Sequence, residues 1–184
     1  MSYPYLLATL PPLDFRQKPE ITSDQLIELC RGHLSEAEQS QLEGVFANPP
    51  LEEGPQVLQE YLGFRRSLDH ELAQLRAQEL QSKADLSTDL MPEAPKPLAE
   101  EAKHAHNPLE SEMIRLYHLW DRLRQLEANH FLNFSALLIY ALQLRLLERK
   151  NQFDAEKGRA KLKQLAHELL PNRFIAPTME EEAS

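Results

Sequence analysis

The sequence predicts an all-α protein, and three observations support this prediction. Apolar side chains recur at spacings of three and four residues over several long windows, as they do on one face of an α-helix. Residues that favour helix N-termini precede those windows. After residue 15, no segment alternates between apolar and polar side chains as a half-buried β-strand does. We therefore expect a helical bundle of long antiparallel helices with short N-terminal helices.

The opening segment of the chain, residues 1–15, is unusually apolar for an acidic protein. A secretory signal would need a basic residue before an unbroken apolar run, but no Lys or Arg precedes Arg16 and three prolines interrupt the run. The run is also far shorter than the roughly 20 apolar residues of a transmembrane helix. We therefore expect this segment to pack against the bundle, with Tyr3 to Thr9 in an extended conformation.

Two short helices are predicted before residue 50, and a capping box marks the start of each. In the first, Thr22 or Ser23 is the cap and Gln25 is the side chain that returns to it. In the second, Ser35 is the cap and Glu38 returns to it. Both helices carry apolar residues on one face, so we expect them to cover part of the core.

A long helix is predicted from Pro55 to about Leu80, because its apolar residues form one stripe with charged residues beside it. The stripe contains Leu58, Tyr61, Leu62, Leu68, Leu72 and Leu75. Three prolines then fall between residues 92 and 97, which is typical of a linker or loop.

The clearest helix start is Asn107-Pro108-Leu109-Glu110, which combines an Asn cap, a proline at the first helical position and a glutamate at the third. The stripe that follows has heptad-like spacing and contains Leu109, Met113, Leu116, Trp120 and Leu123. After a break near 129–133, residues 134–150 are apolar nearly all round, which predicts the central helix of the bundle. A last helix is predicted from Asp154 to about Leu170.

These elements predict four parts of the chain. Residues 1–84 form an N-terminal extension and helical lobe, and 85–106 form a proline-rich acidic linker. Residues 107–171 form the C-terminal helices, which pack with the first lobe as one domain. The acidic end, 172–184, is predicted to be disordered.

Composition and charge exclude several classes of function. With 42% hydrophobic residues, the 184-residue chain can build one core. Its 29 acidic and 20 basic residues give a net charge of −9, whereas nucleic-acid binders usually have a basic excess, so we expect no nucleic-acid partner. None of the five glycines belongs to a phosphate-binding motif. The single cysteine, Cys30, fits a reducing compartment and is interpreted as a small core residue.

Two Glu-x-x-His pairs raise the hypothesis of a metal site, because di-iron helical bundles use this spacing on two of their helices. Glu127 and His130 continue the apolar stripe below Leu123, so they can point inward. Glu101 and His104 precede the predicted helix start and are interpreted as a solvated segment. No Ser or Cys lies on a glycine-rich elbow. We therefore predict a protein that is not an enzyme and has no cofactor, and keep a metal-dependent bundle enzyme as the alternative.

The C-terminal third contains a basic cluster. Such clusters are more often a solvated helix face than a docking surface for acidic partners. Its members are Arg145, Arg149, Lys150, Lys157, Arg159, Lys161 and Lys163.

Two stretches of the chain resemble a bacterial family of unknown function whose members are often encoded beside subunits of V-type (archaeal-type) ATPases. The first is the opening Tyr5-Leu6-Leu7-Ala8-Thr9-Leu10-Pro11-Pro12-Leu13-Asp14-Phe15, with the two capped helices up to Glu38. The second runs from about Glu110 to Lys150 and contains Arg145 and the Arg149-Lys150 pair, where the family tends to end a central helix with arginine-containing motifs.

The resemblance implies a non-catalytic helical subunit or accessory protein of a V-type ATPase, one that takes the place of the C (d) subunit and links the central stalk to the membrane rotor ring. Arg145, Arg149 and Lys150 are then the candidate partner-docking residues. It implies a cytoplasmic protein, held at the inner membrane through a complex and not inserted in it. An adaptor protein unrelated to ATPases remains a further alternative.

Overall fold

The structure is a computed structural model that describes residues 3–47, 54–79 and 96–153. Within these ranges it is all-α, with seven helices and no strand, as predicted. The chain divides into two compact units, 1–152 and 153–184, and all seven helices belong to the first. The predicted helix 154–170 and tail 172–184 lie outside the described residues. The helices are α1 Tyr3–Thr9, α2 Ser23–Cys30, α3 Glu36–Phe46, α4 Gln56–Glu79, α5 Lys96–Lys103, α6 Pro108–Glu127 and α7 Phe134–Gln152.

Helix α7 is the centre of the bundle, which confirms the prediction made from its apolar circumference. It contacts α1, α2, α3, α4 and α6. Four of its leucines have no solvent-exposed surface, and at about 3.6 residues per turn their positions place them on different sides of the helix. A helix covered on several sides needs apolar residues on every side, and α7 has them. The four leucines are Leu137, Leu138, Leu144 and Leu147.

Helix α6 begins as predicted, because the Asn107 side chain accepts a hydrogen bond from the Glu110 backbone N–H at 2.8 Å. Its buried face differs from the predicted heptad stripe. Leu109 is 41% exposed and Met113 is only partly buried, whereas Leu119 and Leu126 are buried together with the predicted Leu116, Trp120 and Leu123. A straight α-helix has 3.6 residues per turn, so its buried face drifts away from a strict 3.5-residue repeat over twenty residues.

Both predicted capping boxes are present. Thr22, and not Ser23, caps α2: its hydroxyl accepts from the Gln25 N–H at 3.3 Å, and the Gln25 side chain accepts from the Thr22 N–H at 2.9 Å. Ser35 and Glu38 make the same pair of bonds at the start of α3. Each box satisfies two backbone donors that the helix itself leaves without a partner.

Residues 3–9 form helix α1, so the predicted extended conformation is wrong. Pro4 lies in the first turn, where a missing N–H removes no helical hydrogen bond. The Thr9 hydroxyl donates to the Leu6 carbonyl at 2.7 Å near the end of the helix, before Pro11 and Pro12. The segment does pack against the bundle, because Leu6 is buried and α1 contacts α7.

Helix α5 lies inside the segment that the prolines indicated as a linker, so the predicted linker 85–106 does not hold over residues 96–103. Pro97 occupies the first turn of α5, where proline is tolerated. Ala99 and Ala102 are fully buried, and α5 contacts both α4 and α6. Alanine favours a helix, and its small side chain lets the helix approach its neighbours closely. The alanines of this segment therefore indicated a helix, but the prediction relied on the prolines.

Helix α1 is fastened to α3 by a hydrogen bond from the Tyr3 hydroxyl to the Glu38 carboxylate. This bond is the main cause that lowers the pKa of Glu38 below 4.5 and raises the pKa of Tyr3 to about 12. A carboxylate with a lowered pKa stabilises the fold above its unfolded-state pKa and loses that contribution as pH falls. A tyrosine with a raised pKa contributes below its usual value of 10 and loses that contribution as pH rises towards 12.

We predict that Tyr3→Phe lowers the free energy of unfolding by about 0.5–1 kcal/mol at neutral pH, since the bond is half-exposed. The deficit should shrink at acidic pH, as the pH falls through the lowered pKa of Glu38 and the carboxylate becomes protonated. Urea unfolding of the wild type and the variant at neutral and at acidic pH measures this deficit. Tyr5→Phe is the matched control, because the Tyr5 side chain is exposed. A deficit that is the same at both pH values, or that Tyr5→Phe reproduces, contradicts the prediction.

Candidate docking surface

Arg145, the first predicted docking residue, binds the end of helix α3. Its guanidinium donates to the backbone carbonyl of Val45 and, at 3.3 Å, to that of Ala47. These carbonyls belong to the last turn and the cap of α3, where the helix leaves acceptors without partners and the helix dipole is negative. Burial lowers the pKa of Arg145, and the charge of Arg65 lowers it further. Arg145 therefore joins α7 to α3.

Lys150 holds the opening segment in place. Its ammonium donates to the Phe15 carbonyl and lies 5.0 Å from the centre of the Phe15 ring. Burial lowers the pKa of Lys150, and the nearby charge of Asp14 opposes that shift. The hydrogen bond and the cation–π contact act on the same residue, so Lys150 fixes the point at which the segment leaves the bundle.

Arg149 is the most accessible of the three predicted docking residues, with 53% of its side chain exposed. It makes an ion pair with Glu112 of α6, in which its Nε and Nη2 lie 2.9 and 2.8 Å from the same carboxylate oxygen. An exposed pair of this kind contributes little to stability and can exchange partners.

Arg145 and Arg149 belong to a larger group, here called the arginine cluster, which consists of Arg65, Arg115, Arg145 and Arg149. These side chains line a small cavity of about 50 Å³. Tyr61 lines the same cavity, and burial raises its pKa to about 12.

The cluster contains one strong ion pair. Arg115 donates to both oxygens of Asp69, at 2.6 and 2.9 Å, and reaches Glu112 at 3.3 Å. Burial opposes the charge of Arg115, but its bonds to Asp69 and the two carboxylate charges outweigh burial and raise its pKa. Bidentate pairs of this kind are among the stronger ionic contacts in proteins.

Arg65 and Arg115 were not among the predicted docking residues. The sequence does hold a signal for one of them, because Tyr61, Arg65 and Asp69 follow each other at four-residue steps and therefore share one face of α4. No such signal exists for Arg115, which meets Asp69 across 46 positions of the chain.

A second and larger cavity, a cleft of about 740 Å³, lies between the opening segment and helices α6 and α7. A hydrogen bond and an aromatic contact hold its walls together. The Tyr140 hydroxyl donates to the Pro11 carbonyl at 2.8 Å, and the centres of the Phe15 and Trp120 rings lie 5.7 Å apart. Phe131, in the predicted break between α6 and α7, lines the cleft and is 84% exposed.

The candidate metal residues Glu127 and His130 both line this cleft. Glu127 accepts a hydrogen bond from the Gln143 side chain at 3.1 Å. Glu101 pairs with His118 at 2.9 Å, and His104 is exposed. Among residues 3–47, 54–79 and 96–153, no three His, Cys, Asp or Glu side chains come together as a metal site would require.

Cys30 is completely buried on α2, and burial raises the pKa of its thiol to about 11. The predicted core position is confirmed. The thiol stays protonated at neutral pH, and the thiolate is the reactive form of cysteine.

Fold and contacts together define a helical protein in which basic side chains of α7 bind distant segments of the chain. No helix in the described part of the chain has the length and apolar character needed to cross a bilayer. Comparison with protein-family models, with curated proteins and with solved structures gave no match.

Proposed function

We propose that this chain is a non-catalytic helical subunit or accessory protein of a V-type ATPase, cytoplasmic and held at the inner membrane through the complex, where it links the central stalk to the rotor ring. One observation carries the proposal beyond the resemblance. The two resembling stretches, more than 70 positions apart, meet in contacts between the opening segment, α2 and α7. These contacts are Tyr140 to Pro11, Lys150 to Phe15 and Glu148 to the Ser23 N–H.

Contact between the two stretches supports the proposal because the residues that carry the resemblance act together. In an unrelated protein with leucine-rich helices, we would not expect both a proline-rich opening segment and a lysine that binds it. The docking role falls mainly on Arg149, whose guanidinium is accessible, since Arg145 and Lys150 are occupied within the chain.

Copurification tests the proposed function. A tagged copy of the chain is expressed in its native cells, the membranes are solubilised gently, and the captured complexes are weighed by native mass spectrometry. We expect ATPase subunits in a fixed ratio to the tagged chain. An ATPase that is purified intact under the same conditions without this chain overturns the proposal. Gene neighbourhood distinguishes the proposed function from that of an unrelated adaptor, because only an ATPase subunit is expected to be encoded beside ATPase genes.

The metal-dependent enzyme remains the second candidate, because Glu127 and His130 line the same cleft. Metal analysis after addition of ferrous iron separates the two candidates. We expect the iron content to equal that of a Glu127→Gln, His130→Gln double variant. Stoichiometric iron that the double variant loses would favour the enzyme.

A further inference from the structure

The arginine cluster is a place where positive charge exceeds negative charge on an acidic protein. Its four guanidinium groups come from three helices and line one cavity. The facing carboxylates among the described residues are Asp69 and Glu112, so four positive charges meet two negative charges. Glu148 also acts on Arg145, but its carboxylate accepts a hydrogen bond from the Ser23 N–H at 2.7 Å.

The two carboxylates are divided unequally among the arginines. Arg115 takes both oxygens of Asp69, which leaves Arg65 at 3.8 Å from the same carboxylate, beyond hydrogen-bond distance. Arg149 shares one oxygen of Glu112 with Arg115. Arg65 and Arg149 therefore keep guanidinium donors that bind no carboxylate among the described residues, and both side chains remain partly exposed.

The cavity is small and its remaining lining is largely apolar. Its volume of about 50 Å³ is of the order of one or two waters, each of which occupies roughly 30 Å³ of liquid. A single carboxylate group fits such a space, whereas a nucleotide does not. The apolar lining suits the methylene groups of an acidic side chain, and consists of Val45, Leu58, Leu62, Leu116, Leu119, Leu142 and Leu146.

We infer that the arginine cluster is the binding site for one carboxylate side chain, an Asp or Glu presented by a partner protein, with Arg65 and Arg149 as the residues that bind it. Arginine is suited to this role because its planar fork of donors matches a carboxylate. The net charge of −9 keeps other acidic surfaces away from the rest of the chain, so the local excess selects where such a partner docks. The inference rests on the proposed function in that it assumes docking onto another protein.

Binding of glutarate, a dicarboxylate that resembles a glutamate side chain, tests the site in the full-length protein. Nuclear magnetic resonance follows the arginine Nε–H signals during a titration at constant ionic strength. We expect saturable shifts of the Arg65 and Arg149 signals, and at least about a threefold loss of affinity in Arg65→Gln and in Arg149→Gln. Arg31→Gln is the matched control, since Arg31 is the C-cap residue after α2, does not line this cavity and pairs with Glu28 among the described residues. Circular dichroism checks that each variant is folded.

Four outcomes would overturn the site. These are shifts that do not saturate, equal affinity for glutarate in the three variants, movement of other arginine signals in place of those of Arg65 and Arg149, and inorganic phosphate binding more tightly than glutarate, which would indicate a phosphate site.

Failure of the site and failure of the proposed function can be distinguished. If glutarate binds but no ATPase subunit copurifies, the carboxylate site is supported and the ATPase assignment is contradicted. An Arg65→Gln, Arg149→Gln double variant that copurifies with the ATPase as fully as the wild type keeps the assignment and removes the site.

Discussion

Leu138→Ala should lower the free energy of unfolding by about 2–5 kcal/mol. Leu138 has no exposed surface and lies on α7, which contacts five of the other six described helices. Truncation removes three buried carbon atoms and leaves a cavity that the surrounding helices can fill only in part. Because several elements rest on the same helix, the loss should weaken the whole unit and not one local contact.

Urea unfolding followed by circular dichroism measures the effect of Leu138→Ala. The urea concentration at the unfolding midpoint should fall, while the slope of the free energy of unfolding against urea concentration stays constant. A constant slope would show that the compactness of the folded and unfolded states is unchanged. Leu29→Ala is the matched control, since it makes the same substitution on a helix at a side chain that is 49% exposed. A loss below about 1 kcal/mol in Leu138→Ala, or an equal loss in Leu29→Ala, contradicts the central position of α7.

Local sequence was sufficient for the parts of the fold that depend on neighbouring residues. Ser35 and Glu38, three positions apart, cap a helix by contacts that any chain with this spacing can make. The apolar circumference of 134–150 predicted burial on several sides without any knowledge of what covers it. Periodicity over short distances needs no tertiary information, and these predictions are confirmed.

Two predictions failed at segments whose prolines lie in the first turn of a helix. Pro4 and Pro97 each stand in the first turn, where proline is tolerated, so α1 and α5 form in segments that the sequence indicated as extended or linker. The decisive information was the helices that cover these segments: Leu6 is buried on α1, which contacts α7, and Ala99 is buried on α5, which contacts α4 and α6.

The candidate docking residues show the same limit for function. Arg145 and Lys150 looked available because their partners are backbone carbonyls about 100 and 135 positions away. A carbonyl leaves no trace in sequence, since every residue carries one. Sequence therefore located the basic residues of α7 but could not separate those that hold the fold together from Arg149, which remains half-exposed.

Deletion of residues 2–15 should lower the free energy of unfolding by about 2–4 kcal/mol. The deletion removes the buried side chain of Leu6 and the half-buried side chains of Leu7, Leu10, Leu13 and Phe15. It also leaves Tyr140 and Lys150 without the carbonyls that they bind. The conformational entropy gained by removing an ordered segment offsets part of the loss, which is why the expected value is below the sum of the buried groups.

Thermal unfolding and binding of a hydrophobic dye measure the consequence of the deletion. The truncated protein should melt at a lower temperature and bind more dye, because the ring of Trp120 loses its contact with Phe15. Two substitutions in the full-length chain separate packing from length: Leu6→Ser should reproduce part of the loss, whereas Tyr5→Ser, at a position 66% exposed, should not. A truncated protein that melts at the full-length temperature would show that the opening segment is not part of the core, and its apolar residues would then need another partner.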